Sequence, residues 1–372
     1  MGNPFTPTFG VTPPLLVGRA QLLADFEDAL EDGPGAPARA LLVTGTRGSG
    51  KTVLLNAYED LALQRGWAVV SLTARPGLLQ ELKDERLPRL LYDLGKQDAR
   101  KLNQIEVNLF GVGGSVGWSE GKAPLGGLRS LLFEVADLAT EQGGGLLLTV
   151  DEAHRNALED LRVLTQEVQH AFRQGKNIAF IAAGLPQAVR DLTGDEVLTF
   201  LRRAERVTLG PVNPLDIEEA LQGPATQSGK PLSDEALALA IEGTGGYPFL
   251  IQSVGYESWR AARADSVIDR AAAESGVAAA RRRVGHLVHE PALAGLSGVD
   301  KSFLAAMSVD DGPSRMSDIA ERLGSTSQYA NTYRNRLMGY ELIASSQHGY
   351  VDFTIPYLRE YLREHVAGEH FA

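Results

Sequence analysis

No part of this 372-residue chain restricts its fold more than Gly45-Thr46-Arg47-Gly48-Ser49-Gly50-Lys51-Thr52. The string fits G-x-x-x-x-G-K-[ST], which a random chain of this length matches about one time in a hundred. The β-rich run Leu41-Leu42-Val43-Thr44 leads into it and Val53 to Tyr58 continues as a helical pattern, so the reading is strand, glycine loop, helix. Glycines let backbone N–H groups curl round a chain of phosphates, and the helix N-terminus adds its positive dipole. Lys51 then neutralises β and γ oxygens, and the Thr52 hydroxyl is placed to ligate Mg²⁺. All eight residues are candidate contacts for ATP, with Thr52 also a candidate metal ligand.

A phosphate loop of this kind needs a carboxylate at the end of a neighbouring strand. Leu146-Leu147-Leu148-Thr149-Val150 runs into Asp151-Glu152 and supplies two. Asp151 is the candidate for the Mg²⁺ shell and Glu152 for polarising the attacking water, with Lys51 assisting at the phosphates. An acid pair at a buried strand end is costly without a cation. His154 completes Asp-Glu-Ala-His, which alone is weak evidence for a helicase; a helix-surface histidine is the plainer reading.

The rest of the chain sorts by period. Residues 1–16 hold four prolines and read as an extended leader running into a helix near Ala20 to Leu30. Short apolar runs at Leu41–Thr44, Trp67–Leu72, Leu146–Val150, Ile178–Ala183 and Val207–Leu209 alternate with helical patterns. That alternation predicts an α/β domain over 17–210, a parallel sheet sandwiched by helices. Residues 211–264 carry only helical signals and read as a small helical domain, and 265–295 as a helical connector. Ile105 to Trp118 alternates apolar and polar residues around glycines, which suits either a β-hairpin or a glycine-rich surface loop.

From 296 to 372 the pattern is a winged helix-turn-helix: Asp300–Ser308, then Ser317–Leu323 with Ser317 as cap, then Ser327–Tyr340, then a hairpin about His348-Gly349. The third of these helices displays Gln328, Asn331, Arg334 and Arg336, candidates for phosphates and base edges of duplex DNA. With 36 basic against 47 acidic residues, the net charge of −11 opposes whole-surface attraction to nucleic acid, so any DNA contact is local. The chain has no cysteine, no membrane-length apolar run and no secretory signal pattern. It is therefore expected in the cytoplasm, without disulfides and away from membranes.

These motifs together resemble AAA+ ATPases, in particular the origin-recognition-type initiator ATPases of archaea and their bacterial relatives, which overlap with signal-transduction ATPases. Val17-Gly18-Arg19 looks like the V-G-R-E entry motif of that group, with Ala20 where the acid is usual. The resemblance implies that Val17, Gly18 and Arg19 meet the adenine; a simple helix start is the other reading. Gly246-Tyr247-Pro248 resembles the lid's G-x-P motif and implies that Pro248 packs on the base, although glycine before proline also suits a bare helix N-terminus. Arg203, beside Arg202, stands where such ATPases place an arginine that reaches a neighbouring subunit's γ-phosphate, which implies a nucleotide-dependent homo-oligomer. An ion-paired helix end is the alternative.

The chain departs from the family at two points. Ile178–Gly184 ends in Ala and Gly where a polar γ-phosphate sensor is usual, and no arginine lies in the Gly245–Leu250 turn. Both absences imply slow turnover. The expected function is an ATP-hydrolysing switch acting with duplex DNA, of initiator or mobile-element helper type. The alternatives are a regulatory ATPase that gates a protein partner, with the winged helix as a packing module, and a nucleotide-binding scaffold with negligible turnover.

Overall fold

Strands covered on both faces read as continuous apolar runs rather than alternating ones, and the five runs above become one sheet. The computed structural model describes residues 2–8, 16–96, 127–153, 157–186, 189, 201–263 and 265–365. His154 and the 105–118 segment lie outside them. After helix α1 (Ala20–Asp32) come β1 (Ala40–Gly45), α2 (Lys51–Gln64), β2 (Ala68–Thr73), α3 (Leu128–Glu141), β3 (Leu146–Ala153), α4 (Leu158–Arg173), β4 (Ile178–Gly184) and β5 (Glu205–Leu209). The strands lie in the order β2-β3-β4-β1-β5, every pair parallel.

The period of two within each strand sorts side chains between two cores. Leu41, Val43, Leu147 and Ile181 pack with Phe26 of α1 and Leu54 and Tyr58 of α2 on one face. Leu42, Leu146, Leu148 and Phe180 pack with Leu132 of α3 and Leu164 of α4 on the other. Helices thus cover both faces, and the C-terminal ends of the strands carry Gly45 and the Asp151–Glu152 pair.

The helices that follow are α5 (Pro214–Gln227), α6 (Asp234–Thr244), α7 (Pro248–Ala261) and α8 (Arg270–Val284). Asn213 and Ser233 cap the first two by accepting the N–H of Asp216 and Ala236. After a π turn at Gly285–His289, the chain continues as α9 (Gly298–Ser308), β6 (Ser314–Arg315), α10 (Met316–Arg322), α11 (Ser327–Gly339), β7 (Ile343–Gln347), β8 (Tyr350–Phe353) and α12 (Leu358–His365). The second sheet is antiparallel in the order β6-β8-β7.

Ser317, expected to cap α10, does not do so: Arg315 holds the cap position and the Ser317 hydroxyl turns to Asp318 instead. One continuous group of buried side chains joins Leu250 and Val254 of α7 to Val284 of α8 and Phe303 of α9. Among the described residues no helix is long and apolar enough to cross a membrane.

Candidate active site

The loop after β1 reverses through Gly48 (φ 73°) and Gly50 (φ 92°), and Lys51 opens α2. The first helical bond runs from the Leu54 N–H to the Gly50 carbonyl at 2.9 Å. The amides ahead of it have no acceptor within the helix, and Gly50, Lys51, Thr52 and Val53, at its positive end, line a cavity. Lys51 Nζ folds back along the loop and donates to the carbonyls of Gly45 (2.6 Å) and Thr46 (2.9 Å). Burial pushes the Lys51 ammonium below its ordinary value, while the carboxylates of Glu341, Asp151 and Glu152 pull it back up. Glu341 comes from the turn between α11 and β7, so the C-terminal part of the chain lays a carboxylate's field on the phosphate loop.

Thr52 Oγ1 donates to Asp151 Oδ2 at 2.6 Å, tying the first turn of α2 to the end of β3. Asp151 Oδ1 in turn accepts the Glu152 N–H at 2.7 Å. The pairing of β3 with β4 slips between Val150 and Ala153, and Glu152 sits in the slip with φ 54°. Left-handed backbone is strained for a residue other than glycine and is characteristic of functional turns. The bulge redirects the second carboxylate away from the pleat, and Asp151 and Glu152 line the same cavity of about 700 Å³ as Lys51 and Thr52.

Val17, Arg19 and Pro248 line that cavity too. Gly18, between the first two, has φ 68°, and Arg19 is anchored by donating to the Gly210 carbonyl at 2.9 Å. The absent polar sensor at the end of β4 has a steric reason: a Cβ on Gly184 would fall 2.6 Å from the Ala153 carbonyl that the β3 bulge pushes against it. In the turn before α7, where an arginine is missing, Tyr247 donates its hydroxyl hydrogen to the Arg47 carbonyl of the loop. Sequence reasoning placed Tyr247 in the right turn but gave it no role, and nothing in the sequence pointed to Glu341.

Arg203 is exposed in the turn before β5 and does not line the cavity of its own chain. Gln328 and Asn331 are exposed on α11 and Arg334 is half-buried beside them. Arg336 is placed differently. Its Nε donates to Asp300 Oδ1 and its Nη2 to Ser297 Oγ, both at 2.8 Å, and its guanidinium lies 4.6 Å from the Tyr333 ring centre. Asp300 and Ser297 form the capping box of α9, and Asp300 is buried, so Arg336 is committed to the fold.

Residues 15–181 match the family described as AAA ATPase domain, and residues 286–362 match a domain of unknown function, DUF8462. Among solved structures, the chain is similar to the Walker-type ATPase PABY2304 of Pyrococcus abyssi, with 18% identity over 94% of this chain and 96% of that one and a TM-score of 0.65. It is also similar to the Aeropyrum pernix ORC2 protein in its ADPNP–ADP complexes, with 13% identity over 96% of each chain and a TM-score of 0.58. At such identities the likeness is one of fold. No curated protein matches the chain.

Proposed function

We propose that this chain, which carries an AAA ATPase domain at residues 15–181, is a slowly hydrolysing ATP switch. The observation that carries the proposal is the direct bond from Thr52 to Asp151 beside a strained Glu152, all lining the cavity entered by the loop amides. The amides and Lys51 hold the phosphates, and Glu152 orients and deprotonates the attacking water. A hydroxyl and a carboxylate are hard oxygen donors that suit Mg²⁺, which typically takes one or two protein ligands and completes its shell with water and phosphate oxygens. When bound, the ion neutralises charge on the β and γ oxygens. With Ala183-Gly184 and Tyr247 where polar sensors would stand, transition-state charge has few partners within the chain. Arg203, exposed and away from its own cavity, supplies one in trans to a second copy.

The C-terminal helices and hairpin act as a winged helix-turn-helix on duplex DNA. In support, Gln328 and Asn331 are exposed on α11, and their side chains make no hydrogen bond to the rest of the chain among the described residues. The regulatory reading, a protein partner gated by nucleotide state, draws support from the commitment of Arg336 to Asp300, which leaves α11 with few cations for phosphate. Titrating duplex DNA with ATP, ADP and no nucleotide, at low and high salt, alongside an ATP hydrolysis assay, tests both. Salt-sensitive binding in at least one state supports the DNA reading, and its absence in all three selects the protein-partner one. Absence of ATP binding overturns the switch itself.

A further inference from the structure

The leader was expected as an extended approach to α1, yet its described residues lie across the lid. Phe5 is 2% exposed, and it fills the space left by Gly255 of α7, where a Cβ would meet its ring at 2.5 Å. Asn3 Nδ2 donates to the Tyr256 carbonyl (3.0 Å), and Arg283 Nη2 to the Pro7 carbonyl (3.3 Å). The strap so fixed contributes Thr6, Pro7 and Thr8 to the lining of the 700 Å³ cavity that the phosphate loop also lines. Between these anchors, the Thr6 N–H donates to Gln252 Oε1 at 3.1 Å.

That bond decides how the carboxamide faces. An N–H can only be met by the amide oxygen, so Oε1 is turned to the leader and Nε2 away from it. Oε1 keeps a second lone pair, so the group still offers one acceptor and one donor side by side. Gln252 also lines the cavity. It stands four residues after Pro248, one helical turn and about 6 Å further from the phosphate loop along α7. Val17, Val212 and Ile251 supply apolar walls on the same side.

We infer that Gln252, oriented by the leader's Thr6, reads the base of the bound nucleotide and selects adenine over guanine. This inference rests on the nucleotide site proposed above. An acceptor beside a donor matches the exocyclic amino group of adenine next to a ring nitrogen, the pairing by which glutamine reads adenine elsewhere. Guanine presents a carbonyl in place of that amino group and N–H donors beside it, so it leaves the amide donor and acceptor mismatched. Phe5 acts here as a positioning residue: it holds Thr6 against α7 and touches no part of the base.

The test is a switch of preference. Gln252→Glu keeps the oxygen that accepts the Thr6 N–H but replaces the amide donor by a second acceptor, which suits the adjacent N–H donors of guanine. Affinities for ATP, GTP and inorganic tripolyphosphate are measured by calorimetry on the full chain. The ratio of ATP to GTP affinity should fall by about tenfold or more in Gln252→Glu. In Phe5→Ala the ratio should fall towards one, because the carboxamide is no longer held. Tripolyphosphate has no base and should bind wild type and both variants alike, which also reports that they are folded. An unchanged ratio in Gln252→Glu with tripolyphosphate binding intact overturns the inference and leaves the nucleotide site standing. Failure of the wild-type chain to bind either ATP or tripolyphosphate overturns the nucleotide site itself.

Discussion

The hydroxyl of Tyr247, at the entrance to α7, donates a hydrogen bond to the main-chain carbonyl of Arg47 in the phosphate loop. Burial raises the Tyr247 phenol above its ordinary value, so it remains a donor. Just before that turn, in the last turn of α6, the Gly243 carbonyl accepts from Tyr357 Oη at 2.7 Å. Gly48 is the position the tyrosine leaves no room for, since any Cβ there would collide with the hydroxyl. Tyr247→Phe should fold, lose about 1 kcal/mol of stability, and bind ATP a few-fold more weakly through a looser loop. Gly48→Ala should lose ATP binding, being both crowded and strained at φ 73°. Thermal unfolding with calorimetry checks both, and wild-type affinity in Gly48→Ala would refute the contact.

Lys51 and Glu152 divide binding from chemistry. Lys51→Ala removes the cation over the phosphates and should abolish or strongly weaken ATP binding. Glu152→Gln keeps shape and hydrogen bonding but removes the base, so it should bind ATP normally and lower single-turnover hydrolysis by about a hundredfold or more. Equal hydrolysis rates for wild type and Glu152→Gln would dismiss the carboxylate.

The two α11 arginines should separate fold from contact. Arg336→Ala leaves the buried Asp300 carboxylate without its guanidinium and should cost about 1–2 kcal/mol, reduced from a fully buried pair because the arginine is 40% exposed. Among the described residues Arg334 bonds only its neighbour Asn335, at 3.4 Å, and Arg334→Ala should change stability by no more than about 0.5 kcal/mol. If α11 meets duplex DNA, Arg334→Ala weakens that binding and lowers the slope of log affinity against log salt by about one unit. Denaturant unfolding giving the same stability for both variants would disprove the assigned role of Arg336.

His289 is 1% exposed, with Nε2 at 2.9 Å from the Pro356 carbonyl. Burial pushes its pKa below the ordinary 6.5, outweighing the upward pull of the Pro356 bond and of Glu360. The folded state therefore binds this proton less readily than the unfolded chain does. The neutral ring's contribution is complete above pH 6.5 and is lost as pH falls below that value, at up to about 1.4 kcal/mol per unit. Unfolding midpoints measured from pH 7.5 to 5 should fall, and His289→Gln should fall less steeply. Parallel curves for the two proteins would remove His289 from the account.

The glycine loop between strand and helix, the acid pair at a strand end and all five strands were legible in the sequence because each depends on local order. A glycine pattern sets a backbone path, a continuous apolar run marks a strand covered on both faces, and an acid after such a run must lie at its end. The order of three helices and a hairpin after Ser297 was legible for the same reason, through helical periodicity and the hairpin glycine. What joins Tyr247 to Arg47, Phe5 to Gly255, and Arg336 to Asp300 was not. Those pairs are 200, about 250 and 36 residues apart, and no periodicity carries information over such distances. Only packing brings them together. The sheet order sets β3 beside β4 and β1 between β4 and β5, and the side-chain carboxylate of Glu341, from the turn before β7, comes to bear on Lys51. The sequence by itself determined which groups with the chemistry to hold phosphates this protein carries; the tertiary structure decided which of them line one cavity, because burial and hydrogen-bond satisfaction are settled between elements and not within them.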